Sequence, residues 1–474
     1  MESQGKDRGG RADRRTTGQA RWTFLVYMAG DNNLDGAALR DIAEMARAGS
    51  TNDVHILVQL DRLEDRKTRR FRITRGGGFK KDCIETFSET NTGDPKVLFS
   101  CCQWALEKYP ADHYALILWN HGGGWWEEGR GRAPDPAQEK HPPRAAPDDA
   151  KAGSNPVSAS LTGTGNIAGP AGSSIAAPVP VDSAMHFGVA PRRDLTVPQS
   201  ARDDGSAAPP SKPHHRSLFR PSFPDAHRSI CYDDTSGGDA LDNRELRVVL
   251  AGIRDLLGRK IDLLGMDACL MNMVEVAWQL RDSVEVIVGS EIEEPFDGWP
   301  YAEILNRLTA RPRQDAAALA RWIVRSYLAS YRGKGETVTQ SALDLSRIGA
   351  VTAGIDALSE ILLAALETDA KLIRAAREKS PRFYDDHYID LLCFVKNLRR
   401  RAGGELRSRA EELIAALKPG KGRLILSEGK IGQEVRGAGG LSIYFPADPI
   451  NPAYRALDFC GACRWRAFLE RVVR

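Results

Sequence analysis

Residues Trp22 to Ala29 are apolar at almost every position, the pattern of a strand buried on both faces of a sheet. Gly36 to Ala48 then repeats its apolar positions at helical spacing, and Asp53 to Asp61 returns to a strand. After a strand over Phe71 to Thr74 and a helix over about Asp94 to Tyr109 comes Tyr114 to Trp119, YALILW, apolar on both faces as central parallel strands are. The second half repeats this order. Leu241 to Leu257 reads as a helix, Ile261 to Gly265 as a strand, Leu270 to Arg281 as a helix and Val284 to Gly289 as a strand. Right-handed crossovers would place these strands in one mostly parallel sheet. Asp315 to Lys418 reads as chiefly helical, and Arg423 to Ser427 and Leu441 to Phe445 as two late strands.

The pattern breaks between Glu127 and Arg228, which hold 16 of the 26 prolines, with Ser, Gly and Ala filling most of the rest. Without hydrophobic periodicity such a segment cannot repay its ordering entropy, so a disordered insertion is expected. The chain therefore divides into a tail (1–20), the first half of a core (21–126), the insertion (127–228), the second half of the core (229–345) and a mostly helical C-terminal region with two late strands (346–474).

Composition changes this picture little. The chain has 474 residues, 42% hydrophobic and 27% charged, with a net charge of +3, a balance that gives no electrostatic case for nucleic acid. No unbroken apolar run reaches the roughly 18 residues that span a bilayer. Met1 to Arg21 is polar and basic, without the apolar stretch of a signal peptide, so a cytoplasmic location is expected for the chain as given. Eight irregularly spaced cysteines read as free thiols, and Cys460 and Cys463 form a lone C-x-x-C with no second pair to complete a zinc site.

Ligands of an open α/β sheet bind outside the carboxyl ends of its strands, so reactive side chains should stand just after strands. Five of the nine histidines lie in the insertion, while His55 and His113 fall at the opposite ends of their strands and His387 precedes a helix. His121 remains, directly after YALILW and followed by three glycines. The same filter assigns Cys101, Cys102 and Cys393 to helix faces and leaves Cys83 and Cys231 without a purpose. Cys269 is retained, after the strand Ile261 to Gly265 and at the start of the expected helix, where the macrodipole favours thiolate.

One His and one Cys at the carboxyl ends of neighbouring strands form a nucleophile and base pair. The thiolate attacks an amide carbonyl and the imidazolium protonates the departing amine. Backbone N–H groups of Gly122 and Cys269 are the natural oxyanion donors. Asp267, two residues before Cys269, is either a helix cap or the floor of a pocket for a cationic side chain. Ser290, at the end of another strand, is a weaker nucleophile candidate without an obvious second base.

At these residues the sequence resembles the clostripain family of cysteine peptidases. The stretches that carry the resemblance are LVYMAGDNNL (Leu25 to Leu34), YALILWNHGGGW (Tyr114 to Trp125), IDLLGMDACLMNMVE (Ile261 to Glu275), VGSEIEEPFDGWPY (Val288 to Tyr301) and GLSIYFP (Gly440 to Pro446). The resemblance implies a caspase-like α/β three-layer sandwich with a mostly parallel central sheet. It implies a dyad of His121 and Cys269 and cleavage after Arg or Lys, with Asp267 as the pocket acid and Asp297 as a second carboxylate. It also implies self-cleavage after the catalytic His, here in the insertion, whose twelve Arg and Lys residues run from Arg130 to Arg228. The expected form is a monomer or a self-cleaved two-chain protein acting on peptides, with no nucleic acid or membrane partner. Some relatives depend on calcium, although no loop of regularly spaced oxygen ligands is legible and the dyad itself requires no cofactor. Two departures stand out: the insertion is long, and many relatives are secreted. The alternative is a caspase-like scaffold without turnover, against which the intact Cys and His pair argues.

Overall fold

The computed structural model describes residues 19–125, 230–384 and 386–473. The insertion and nearly all of the N-terminal tail lie outside the described residues, and with them the expectations made there. The first half runs β1 (Ala20–Gly30), α1 (Asp35–Ala48), β2 (Val54–Arg62), β3 (Lys67–Arg72), α2 (Phe79–Asp82), β4 (Cys83–Thr86), α3 (Pro95–Lys108) and β5 (Ala111–Trp119). Then follow β6 (Ile230–Asp233), β7 (Asp239–Leu241), α4 (Asn243–Leu257), β8 (Ile261–Asp267), α5 (Val274–Leu280), β9 (Val284–Gly289), α6 (Tyr301–Ala310), α7 (Ala316–Ser330) and β10 (Val338–Asp344). The remainder is α8 (Ile348–Glu378), β11 (Arg382–Phe383), β12 (Tyr388–Asp390), α9 (Leu391–Arg401), α10 (Gly404–Leu417), β13 (Ile425–Ile431), β14 (Ser442–Tyr444), α11 (Asp458–Ala462) and α12 (Trp465–Val472).

Nine strands form the central sheet in the order β13-β10-β9-β8-β5-β1-β2-β3-β4. The run from β9 to β2 is parallel, and each flank adds two antiparallel strands. Because strand side chains alternate, β1 feeds two cores. Trp22, Phe24, Val26 and Met28 pack with α1, α6 and α7 on one face. Leu25, Tyr27 and Ala29 pack with α3, α4 and α5 on the other, in a core that continues into α8, α9 and α10. These are the three layers of the sandwich.

Helix ends follow their local chemistry. Asp242 and Glu245 make a reciprocal capping box on α4, and Asp94 with Pro95 opens α3. Arg62, at the end of β2, grips Asp35 at the start of α1 through Nε at 2.8 Å and Nη2 at 2.7 Å.

Several elements were not foreseen. The stretch 315–418 contains β10, which pairs with both β9 and β13, so the central sheet draws an edge strand from the region after residue 345. The other late strand, β14, joins β11 and β12 in a separate three-stranded sheet. The β6–β7 hairpin directly follows the insertion.

The helix expected from Leu270 begins only at Val274 and is seven residues long. Its intended first turn is spent elsewhere. Leu270 N donates to Ile292 O at 3.1 Å, Asn272 N donates to Ser290 O at 2.9 Å, and Met273 bridges Ser442. One further helix, 345–378, is long and apolar enough by length and composition to cross a membrane. It lies within the stretch expected to be helical, Asp356 and Glu360 interrupt its apolar run, and Val351, Ile355, Leu358 and Leu362 are buried in the core.

Candidate active site

β5 and β8 are parallel neighbours whose last register pair is Trp119 with Asp267. Two residues further on each strand stand His121 and Cys269, at matched positions on one rim of the sheet. Asn120 N donates to Asp267 O at 3.3 Å, extending the pairing past the strand ends. Gly122 then passes so close to the Cys269 turn that a Cβ added there would lie 2.3 Å from Cys269 O and 3.1 Å from Cys269 N. The sites named as oxyanion donors, Gly122 N and Cys269 N, therefore belong to touching turns.

The histidine loop is pinned from three directions. The Asn120 amide donates to Ala29 O at the end of β1, and its Oδ1 accepts from Tyr232 N at 2.8 Å. Gly122 bridges Ile230. His121 is buried, with the Tyr232 ring edge-on to it at 6.4 Å. Its Nε2 lies 2.7 Å from Asn33 Oδ1. A carbonyl oxygen can only accept, so this contact suits the tautomer protonated at Nε2, with Nδ1 left to accept. Sequence reasoning missed Asn33, although it lies in the LVYMAGDNNL stretch. The available signal was the polar DNN following a buried strand, at the rim where His121 was already expected.

Cys269 is also buried, and its sulfur accepts an N–H from Glu294 at 3.3 Å. Leu270 has φ 64, a left-handed conformation that costs a non-glycine residue roughly 1 kcal/mol. The thiol thus sits on a strained turn rather than at a helix N-terminus. In place of the macrodipole expected from the sequence, the Glu294 amide is aimed at the sulfur.

Asp267 ends β8 and is wholly buried. Its Oδ2 accepts from Tyr301 OH at 2.9 Å and from Trp299 N at 3.4 Å. It caps no helix, because α5 starts seven residues later behind Met273, which offers no side-chain cap. Asp297 lies on the surface, where its side chain is 61% exposed and holds Lys334 at 3.0 Å. The segment 297–301 thus joins an exposed acid to the roof over a buried one.

The discarded residues have other duties. His113 is held by Asp262 at 2.8 Å at the far end of the sheet. Ser290 Oγ sits 3.0 Å from Thr339 Oγ1 and accepts from Ile292 N at 3.2 Å. Burial pushes the Cys460 and Cys463 thiols up to about 12, which leaves them protonated and inert at neutral pH.

The clostripain of Hathewaya histolytica is 25% identical to this chain over 318 residues, which are 61% of this chain and 42% of that protein. The chain thus spans about two-fifths of that relative's length. Two solved structures share the fold at a TM-score of 0.56 and 17% identity. One is a secreted C11 cysteine protease from Bacteroides thetaiotaomicron in complex with an irreversible peptide inhibitor, covering 94% of this chain and 99% of its own. The other is an inactive zymogen C11 protease from Parabacteroides distasonis, covering 94% and 98%. The family model described as the clostripain family, peptidase C11, matches residues 26–136 and 214–471, well over half of the sequence. The chain belongs to the clostripain family.

Proposed function

We propose that the chain is a cysteine endopeptidase cleaving after Arg or Lys, with Cys269 as nucleophile and His121 as base. The observation that supports this reading is the register of β5 and β8, whose last pair, Trp119 with Asp267, stands two residues before His121 and Cys269. The Cys269 thiolate attacks the scissile carbonyl while N–H groups of Gly122 and Cys269 receive the oxyanion. The imidazolium gives its proton to the departing amine, leaving a thioester. Water, deprotonated by the same imidazole, then releases the acid. Asn33 holds the ring in the tautomer this relay requires.

Asp267 supplies the preference for a cationic side chain. A buried carboxylate beneath the segment 297–301 gains most from a guanidinium or ammonium that reaches it, because the pairing offsets its desolvation. Asp297 adds a second carboxylate at the mouth once a substrate cation displaces Lys334. Substrates are peptides or proteins. Activation occurs by self-cleavage within 127–228, a reading supported by the anchoring of both flanks: Trp125 is buried against Tyr444 and Tyr454, and Ile230 bridges Gly122. The working form is then a monomer or its two-chain product.

The test is a panel of fluorogenic peptides ending in Arg, Lys, Asp or Leu, run with wild type and Cys269→Ala. Cleavage of the Arg and Lys peptides alone, absent from the variant, is the expected result. Turnover that survives Cys269→Ala, or equal turnover of the Leu peptide, overturns the reading. No turnover by wild type after nicking of the insertion would favour the scaffold.

A further inference from the structure

The turn that carries Cys269 is held by the segment after β9 at three points. Leu270 N donates to Ile292 O at 3.1 Å, Asn272 N to Ser290 O at 2.9 Å, and Glu294 N to Cys269 Sγ at 3.3 Å. Asn272, wholly buried, carries the grip onward to the entry of β14. Its Nδ2 donates to Gly440 O at 3.3 Å and to Ser341 Oγ, and its carbonyl oxygen accepts from Ser442 N at 3.1 Å and Ser442 Oγ at 3.3 Å. Gly440 has φ 91, and a Cβ there would lie 2.8 Å from the Cβ atoms of both Ser341 and Glu428, so a glycine is required at this crossing.

Behind this crossing stand two acids. Glu291 Oε2 accepts from Gly440 N at 2.8 Å, and Asp390 Oδ2 accepts from Gly439 N at 2.5 Å, so consecutive amides of the chain each hold one carboxyl group. Asp390 Oδ1 also caps α9 through Cys393 N at 2.5 Å. Both acids are wholly buried. Glu291 Oε1 receives no N–H or hydroxyl donor, and its carboxyl hydrogen-bonds with that of Asp390. Ionised carboxylates only accept, so this bond requires a proton on one of the two.

Burial, and then the charge of Asp390, push the Glu291 carboxyl well above its ordinary 4.5, which places the proton on Glu291. The cation facing the pair is Lys430 on β13, already engaged by Glu428 at 3.1 Å and by Ala438 O. Cys393 on α9 lies beside Asp390, and burial raises its thiol too. A proton, rather than an ion pair, therefore balances the second acid. Without it two like charges would repel in a buried volume and drive the two amides apart.

Resting on Cys269 as the nucleophile, we propose that Glu291 is a positioning residue: it shares one proton with Asp390, and the joined pair holds Gly439 and Gly440 where Asn272 fixes the Cys269 turn. Neither acid touches substrate. The pair carries its effect through Gly440 O to Asn272 Nδ2 and, on the other side, through the 290–294 segment that contains Glu291. The region around Asp390 and β14 thereby sets the placement of the sulfur from a distance.

The shared proton is tested by infrared spectroscopy of full-length Cys269→Ala protein, which needs no turnover, so failure here is separable from failure of the proposed function. At pH 7 the spectrum should contain the C=O band of one protonated carboxyl that is lost on adding Glu291→Gln, whose amide donates to Asp390 and accepts from Gly440 N in its place. Positioning is tested in the active enzyme. Glu291→Met keeps the side-chain length but loses both bonds, and it should lower kcat on an Arg-ending fluorogenic peptide about tenfold with KM unchanged. Glu291→Gln should restore kcat to within about threefold of wild type, and it keeps the proposal open to refutation should Glu291→Met misfold. A carboxyl band unaltered by Glu291→Gln, a kcat loss as large in Glu291→Gln as in Glu291→Met, or a loss carried by KM overturns the proposal.

Discussion

Replacing Gly122 with Ala tests whether the dyad depends on contact between its two turns. The new Cβ would stand 2.3 Å from Cys269 O, where ordinary contact begins near 3.4 Å, so the turns must separate by about 1 Å. No side chain can rotate to relieve the clash, because the obstacle is backbone. Both turns are also tethered, Gly122 to Ile230 and Leu270 N to Ile292 O. A misplacement of about 1 Å between reacting groups costs on the order of 100-fold in rate, or about 2.7 kcal/mol in the barrier. The assay is kcat/KM on an Arg-ending fluorogenic peptide beside Tm, with Gly36→Ala as control. Gly36 has nothing within 4 Å of an added Cβ, so its activity should stay at the wild-type level. A folded Gly122→Ala enzyme within threefold of wild type would refute the reasoning, since the turns would then have parted without consequence.

Asp267→Asn should lower kcat/KM for Arg and Lys peptides by roughly 50-fold while sparing residual cleavage of neutral ones; an equal loss on all substrates would make the residue purely structural. Asn33→Ala should reduce kcat about tenfold with KM unchanged, and Asn33→Asp should move the pH–rate profile by placing a carboxylate on Nε2; an unaltered profile in both variants would release Asn33 from any positioning role. Glu275 is fully buried, and burial raises its carboxyl from an ordinary 4.5 to about 7. The folded state therefore holds the extra proton, so stability should decline as pH rises from about 4.5 to 7, by about 3 kcal/mol, and level off above. Glu275→Gln should remove most of that slope in thermal melts from pH 4.5 to 8, and parallel curves for the two proteins would contradict the assignment.

Most of the sheet was legible because its parallel strands are buried on both faces and leave continuous apolar runs such as YALILW. β10 was not, since VTQSALD mixes polar and apolar residues even though Val338 to Leu343 are all buried. Some of its polar groups find partners outside the strand: Ser341 Oγ accepts from Asn272 Nδ2, and Gln340 Nε2 donates to Glu294 at 3.2 Å. The short helix after Cys269 misled for a related reason. The apolar spacing from Leu270 to Arg281 is helical, but backbone groups at 290 and 292 capture the first turn, and no local pattern records a partner twenty residues away. His121 and Cys269 could be singled out because a strand end is a local feature. Asn33 could not, because its contact with His121 exists only where separate strand ends converge.

The register that aligns His121 with Cys269 also decides what cutting the insertion can do. β5 lies before the insertion and β8 after it, so their hydrogen-bonded pairing joins the two halves directly. The hairpin reinforces the joint through Asn32 and Asn120, both from the first half, which hold the backbone of Tyr232 in the second. A break between Trp125 and Ile230 leaves the pairing of β5 with β8 in place, so on the proposed function the Cys269 thiol would keep its base. What a break can change is the reach of the flanking segments, and these begin at Trp125 and Ile230, within four residues of His121 and at the bridge to Gly122. On the proposed function, cleavage in that connection would therefore act on access to the dyad rather than on its assembly.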